Sequence, residues 1–139
     1  FDGFTNLLST DLSPSAIAEM SATTRETMPE AQWQVDDALS MKVASASIDA
    51  MIDKGTLDAV MQTPALFSGA AQMLREVQRV LRVGGTYIMV THGRGEAKAW
   101  RARLLALPHL ALSVQVTPDL GGFFLVVGQK IRELPDAEA

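Results

Sequence analysis

Apolar and polar residues alternate with two different periods along the chain, and the switches between them outline its elements. "TNLLSTD", Thr5 to Asp11, is a short β-leaning run centred on Leu7 and Leu8 that ends at an acid. "LSPSAIAEM" then reads as a helix: Ser13 suits the N-cap, Pro14 suits the first helical position where its missing N–H costs nothing, and Ile17 and Met20 share a face. Pro29 is expected to close it. "QWQVD", Gln32 to Asp36, alternates polar and apolar residues as a strand does, and "ASIDAMID", Ala46 to Asp53, places Ile48, Ala50 and Ile52 on one face of another.

The clearest helix lies in "PALFSGAAQMLREVQRVLRVGG", where Leu66, Ala70, Met73, Leu74, Val77, Val80 and Leu81 recur at three- and four-residue spacing. Arg75, Arg79 and Arg82 gather toward its C-terminal end, which favours cations, and Gly84 or Gly85 can supply a left-handed residue to end it. "TYIMVTH", Thr86 to His92, follows as a buried strand. "GEAKAWRARLLALP" predicts a helix with Trp100, Leu104 and Leu107 inward, stopped by Pro108, with Arg94, Lys98, Arg101 and Arg103 on its wet face. "LALSVQVT" and "FFLVVGQKI" form two closing strands, joined through Asp119-Leu120-Gly121-Gly122 in the manner of a hairpin. Alternating strands and helices predict an α/β fold with a largely parallel sheet, and the short final connection predicts one antiparallel strand at the end of the chain. No repeat or interdomain linker interrupts it. Residues 1–131 read as one domain and 132–139 as a tail.

Composition narrows the function classes. The 139 residues are 47% hydrophobic and 20% charged, typical of a packed globular chain. A net charge of −4 and a pI near 5.1 argue against broad nucleic-acid affinity, which needs a basic face. With no cysteine, disulfides and thiolate metal sites are excluded, and two isolated histidines, His92 and His109, make no metal site. No apolar run is long enough to span a bilayer, and the opening "FDGFTNLLSTD" lacks the basic and apolar regions of a signal peptide. A cytoplasmic setting is the expectation. The first residue is not Met, so further sequence upstream is expected too.

Ligands of open α/β sheets bind beyond the carboxyl ends of the strands. Acids stand at three such ends: Asp11, then Asp36 or Asp37, then Asp53. Any of them can simply close a turn, but acids at consecutive strand ends also suit the hydroxyls of a nucleoside lying across the tips. After the third strand, "DKGT", Asp53 to Thr56, combines an acid, a base, a glycine and a hydroxyl before a helix that starts near Leu57. On composition alone Lys54 could pair with Asp53 or Asp58 at the surface, and Gly55 could serve backbone freedom only.

"SIDAMIDKGTLDAV" resembles, nearly residue for residue, the "SFDVVIDKGTLDAL" passage of class I S-adenosylmethionine-dependent methyltransferases, in the branch that contains the eukaryotic elongation factor 1A lysine methyltransferases and their methyltransferase-like relatives. "REVQRVLRVGGTYIMVTHG" resembles the family's "VLKPGGRYL" passage, and "TNLLSTDLSPSAIAEM" its "NIVNIDIS…VI…M" passage. The resemblance runs from about Phe4 to Lys130. It implies a Rossmann-like methyltransferase sheet, mostly parallel with an antiparallel C-terminal strand. By matching position, Asp11 would bind the cofactor's ribose hydroxyls, Asp37 would accept from the adenine amino group beside the Ala38 backbone, and Leu12 and Leu39 would pack on the adenine. Counting without gaps favours Asp37 over Asp36, with a shift of one residue left open. Asp53, Lys54, Gly55 and Thr56 would form the loop beside the methyl group and substrate, Asp53 also touching the cofactor.

The family's first strand, its acidic glycine-rich loop and its first helix have no counterpart in this sequence. The resemblance therefore implies a sheet lacking its first, central strand, with the remainder supplied upstream or by another chain. The implied reaction is methyl transfer from S-adenosylmethionine to a protein lysine amine, with an elongation-factor-like protein as partner and no general base assigned. A catalytically degenerate subunit supporting a partner is the alternative that the missing loop motivates. A nicotinamide-dependent oxidoreductase shares the α/β pattern but has no support from "DKGTLDA".

Overall fold

The computed structural model describes residues 6–62, 66–92, 103–117 and 121–134. The chain divides into two compact units, one ending at Lys42 and the other starting at Val43.

The first unit is a βαβ crossover. β1 (Leu8–Asp11) and β2 (Gln32–Val35) pair in parallel, Leu8 opposite Gln32 and Asp11 opposite Val35, with α1 (Pro14–Thr24) as the crossover. α1 starts where the sequence places it: the Ser13 hydroxyl accepts from the Ala16 amide at 3.3 Å and Pro14 occupies the first turn. It ends at Thr24, five residues before Pro29. The Thr23 and Thr24 hydroxyls there donate back to the carbonyls of Glu19 and Met20, a local bonding pattern that competes with helix propagation. No side chain of α1 is buried, and Asp36, just past β2, is the only buried residue among those described in this unit.

The second unit carries a four-stranded sheet in the order β3-β4-β6-β5. β3 (Ile48–Lys54) runs parallel to β4 (Leu81–His92), and β6 (Phe123–Lys130) is antiparallel to both β4 and β5 (Leu112–Val116). The last strand in sequence is thus the one of opposite direction, as expected, and it inserts between β4 and β5. Among the described residues β1 pairs only with β2 and β3 only with β4, so each keeps one ladder edge without a strand. α2 (Thr56–Val60) and α3 (Leu66–Val80) connect β3 to β4.

The core follows the helical stripe. Ala70, Met73, Leu74, Val77 and Val80 are buried together with Leu81, Tyr87, Met89, Phe124 and Val126 from the sheet. On β3 the covered face is that of Met51 and Asp53. Ile52 points the other way and is 70% exposed. Of the helix predicted before Pro108, residues 93–102 lie outside the described residues and 103–105 are helical. Leu105 is buried there, whereas Leu104 is half-buried and Leu107 exposed, because Gly128 on β6 leaves room against which Leu105 and Leu112 pack.

α3 stops at Val80, and no glycine caps it. A helix end leaves carbonyls without intrahelical partners, and here distant groups take them. The Arg79 carbonyl accepts from the Ala46 amide at 2.8 Å and that of Val80 from Ser47 at 2.9 Å. The fully buried Lys130 ammonium donates to the carbonyls of Gln78 and Leu81 at 2.8 and 2.7 Å, and to Glu133 Oε2 at 2.7 Å. The Gln78 amide in turn donates to the Arg132 carbonyl, so the chain is tied to α3 as far as Glu133. Gly84 and Gly85 lie inside β4, at the irregular register that skips from Leu81 opposite Ile48 to Thr86 opposite Ala50. Gly84 has the left-handed φ of +82°. A Cβ at Gly85 would meet the carbonyl oxygens of Arg82, Ile48 and Asp49 at 2.8, 3.0 and 3.2 Å. No helix among the described residues is long and apolar enough to cross a membrane.

Because those three oxygens are backbone and cannot swing aside, Gly85→Ala must push β3 and β4 apart at their paired start. The expected cost is about 1–3 kcal/mol, read as a lower urea midpoint at unchanged slope. An unchanged midpoint would show that the close approach is not a constraint.

Candidate functional site

The turn after β3 is built around one carboxylate. β3 continues through Lys54, Gly55 makes the turn with φ +85° and ψ 0°, and α2 begins at Thr56. The connection expected to span Asp53 to Thr56 is therefore reduced to Gly55. Nothing lies within 4 Å of a Cβ placed at Gly55, so the glycine is required by its backbone conformation and not by crowding. Asp53 is 3% exposed. Its Oδ1 accepts from the Thr56 amide at 2.7 Å and its Oδ2 from the Leu57 amide at 3.1 Å, capping α2 from two residues before the cap position. The Tyr87 hydroxyl on β4 donates to the same Oδ2 at 2.7 Å.

Asp58, in the first turn of α2, is 6% exposed and accepts from the Thr91 hydroxyl at 2.9 Å through Oδ1 and 2.7 Å through Oδ2. Tyr87 and Thr91 stand on one face of β4, so two strand hydroxyls hold the two acids of the turn. Lys54 and Thr56 face outward, and Lys54 pairs with neither acid. Burial, the Asp53 charge and hydrogen bond, and the Asp58 charge together hold the Tyr87 phenol well above its usual pKa.

In the first unit the strand-tip acids separate by role. Asp11 is exposed. Its Oδ1 accepts from the Ser13 amide at 2.7 Å, while its Oδ2 accepts no hydrogen bond from a described residue. The Asp36 amide donates to the Asp11 carbonyl at 3.0 Å, setting the two strand tips side by side. Asp36 is 5% exposed and turned inward. Asp37 is exposed, with Oδ1 accepting from the Leu39 amide at 2.8 Å and Oδ2 taking no hydrogen bond from a described residue. Ala38 and Leu39 are half-buried, and Leu12 is 70% exposed beyond the tip of β1. Asp11, Leu12, Asp37, Ala38 and Leu39 thus belong to one unit, and Asp53 to Thr56 to the other.

The sequence reading left out Tyr87 and Thr91. Their only signal is that a run of alternating strand positions, 87, 89 and 91, carries hydroxyls on two of three. The side chains of His92 and His109 lie outside what is described, and no cluster of metal-ligating residues occurs among the described residues.

Tyr87 is the sole tyrosine, so its ionisation can be followed directly by phenolate absorbance. The unfolded phenol ionises near pH 10. The folded one does so well above its usual value, so its stabilisation is complete below pH 10 and lost as the pH climbs toward the folded value. Tyr87→Phe is expected to lower stability by about 1–2 kcal/mol at neutral pH and to remove this alkaline loss. An ordinary phenolate titration in the folded chain would contradict the buried pairing with Asp53.

Comparison with known proteins converges on one family. Residues 2–89 match the family model described as a methyltransferase domain. The chain is 37% identical over 142 residues to an eEF1A lysine and N-terminal methyltransferase of Danio rerio, across 96% of this chain and 20% of the relative. It is 32% identical over 146 residues to an EEF1A lysine methyltransferase 4 of Bos taurus, across 98% of this chain and 56% of that one. It therefore spans from a fifth to about half of the length of these relatives. A methyltransferase solved with the Haloferax volcanii Trm112 activator has the same fold, with a TM-score of 0.75 at 15% identity over 94% of this chain and 74% of that one. So does a Burkholderia thailandensis N1-methyltransferase solved with S-adenosylhomocysteine, at 0.66 and 14% over 91% and 62%. The chain belongs to the methyltransferase domain family, with a Rossmann-like α/β fold, in the S-adenosylmethionine-dependent branch that includes the eEF1A lysine methyltransferases.

Proposed function

We propose that the protein carrying this chain transfers the methyl group of S-adenosylmethionine to a lysine amine of a protein, with an elongation-factor-like protein as acceptor. The observation that carries the cofactor half is the pair of exposed carboxylates, Asp11 and Asp37, at neighbouring parallel strand tips, each with one oxygen that no described residue engages. Such acceptors suit the donors of a nucleoside, ribose hydroxyls at Asp11 and the adenine amino group at Asp37. Leu12, Ala38 and Leu39 supply apolar surface and backbone around the purine. The eEF1A-directed names of two relatives support the choice of acceptor.

Bound S-adenosylmethionine supplies the electrophilic methyl, and the protein's part is alignment and exclusion of water. An incoming lysine must be neutral to attack, which requires desolvation or loss of its proton to a neighbour. In this reading Asp53, Lys54, Gly55 and Thr56 border the transferred methyl. Asp53 serves by holding the turn rigid, since its carboxylate is occupied by two amides and a phenol. Lys54 and Thr56 are the side chains that the turn presents outward.

Calorimetric titration of S-adenosylhomocysteine into the full-length protein should show one-site binding. Asp11→Ala and Asp37→Ala should each weaken it about tenfold or more, the loss of a hydrogen bond to a charged group. A folded full-length protein that takes up no S-adenosylhomocysteine overturns the enzyme reading. Binding without methylation of any lysine in elongation factor 1A overturns only the acceptor.

A further inference from the structure

We infer that Asp36 is a positioning residue: its buried carboxylate closes the loop that presents Asp37, and so sets how the adenine amino group is read. The inference deepens the proposed function and rests on its assignment of Asp37. Two adjacent acids end β2, and the structure gives them opposite surroundings. Asp36 is 5% exposed in a unit where every other described residue is at least partly open to solvent, so a charged group occupies the place where an apolar anchor would be expected. A buried carboxylate is tolerated only when its oxygens are hydrogen-bonded, and those of Asp36 are bonded to both ends of one loop.

Oδ1 accepts from the Asp37 amide at 3.0 Å, where the loop leaves β2. Both oxygens accept from the Lys42 amide, at 3.2 and 3.0 Å, where the loop returns. The Gln34 side-chain amide steadies Oδ2 at 3.2 Å from within β2. Between the two clamped amides the loop folds on itself. The Leu39 amide donates to Asp37 Oδ1 at 2.8 Å and the Ser40 amide to the Asp37 carbonyl at 2.9 Å. The Lys42 ammonium does not neutralise Asp36. It donates to the Val35 carbonyl at 2.8 Å, a further tie between loop and strand.

The consequence for recognition is geometric. Asp37 Oδ1 already accepts from Leu39, while Oδ2 accepts from no described residue and is the better placed to meet a ligand donor, and its direction follows from the backbone at residues 37–39. That backbone hangs from Asp36 at one end and, through Lys42, at the other. An Asn at position 36 keeps the size but replaces one acceptor oxygen with a donor, which cannot face a backbone N–H. With the nitrogen at the Oδ1 position the Asp37 amide loses its acceptor, and with it at the Oδ2 position an N–H faces the Lys42 amide and pushes the returning end of the loop away; in either case the Asp37 oxygen loses its fixed direction.

The test compares two ligands on the full-length protein: S-adenosylhomocysteine and its 6-desamino purine analogue, which lacks only the amino group. Wild type should bind the first about tenfold more tightly, one hydrogen bond to a charged acceptor. Asp37→Ala should reduce that ratio to near one. Asp36→Asn should also bring the ratio toward one, and its effect on S-adenosylhomocysteine affinity should vanish in an Asp37→Ala background. A merely structural Asp36 would weaken both ligands equally and preserve the ratio, and that result overturns the inference while leaving the role of Asp37 intact. Should Asp36→Asn fail to fold, Asp36→Glu carries the same comparison, because the added methylene displaces the oxygens while keeping the charge. A wild-type protein that binds both ligands equally, or neither, overturns the assignment of Asp37 and this inference with it.

Discussion

A carboxylate taken out of water must find donors inside the protein, and the organisation of the second unit turns on how Asp53 finds its own. Two are amides at the start of α2 and the third is a phenol on the neighbouring strand. The same contacts that stabilise the charge also stop β3, start α2 one residue later, and tie both to β4. A tight strand-to-helix turn follows from the charge, with Gly55 adopting the one backbone conformation that lets two successive amides point back at it. Thr91 repeats the device for Asp58, so the turn is held from its strand side and from its helix side.

Asp36 applies comparable chemistry without a helix. Its oxygens gather amides from both ends of a loop, and the result is a presented acid, Asp37, beside a committed one. In both places a buried acid shapes the backbone next to residues that face outward: Lys54 and Thr56 in one unit, Asp37 in the other. Two acids side by side in a sequence can therefore have unrelated tasks, and burial is what separates them.

The closing of α3 shows a second economy. Its final carbonyls are satisfied by amides thirty-odd residues upstream and by a buried ammonium from the last strand. A helix end finished in this way needs no left-handed glycine, which leaves Gly84 and Gly85 free for the close approach of β3 and β4. The cation at the helix terminus expected from "REVQRVLR" is present, but the group that reaches the terminal carbonyls is Lys130.

By itself the sequence determined the order of the strands, the cap at Ser13, the buried stripe of α3, the reversed last strand and the family. These rest on local chemistry: periodicity, capping geometry and a short motif that matches nearly residue for residue. What the tertiary structure alone decided is which side chains are inside. Ile52 lies open while Asp53 beside it is buried, and Leu105 rather than Leu104 meets the sheet, because the covering element and the space left by Gly128 lie far along the chain. The partners of the buried acids, Tyr87, Thr91 and the Lys42 amide, are likewise set by the approach of separate segments. A hydrogen bond depends on distance and direction, and neither is written into the spacing of residues before the chain folds.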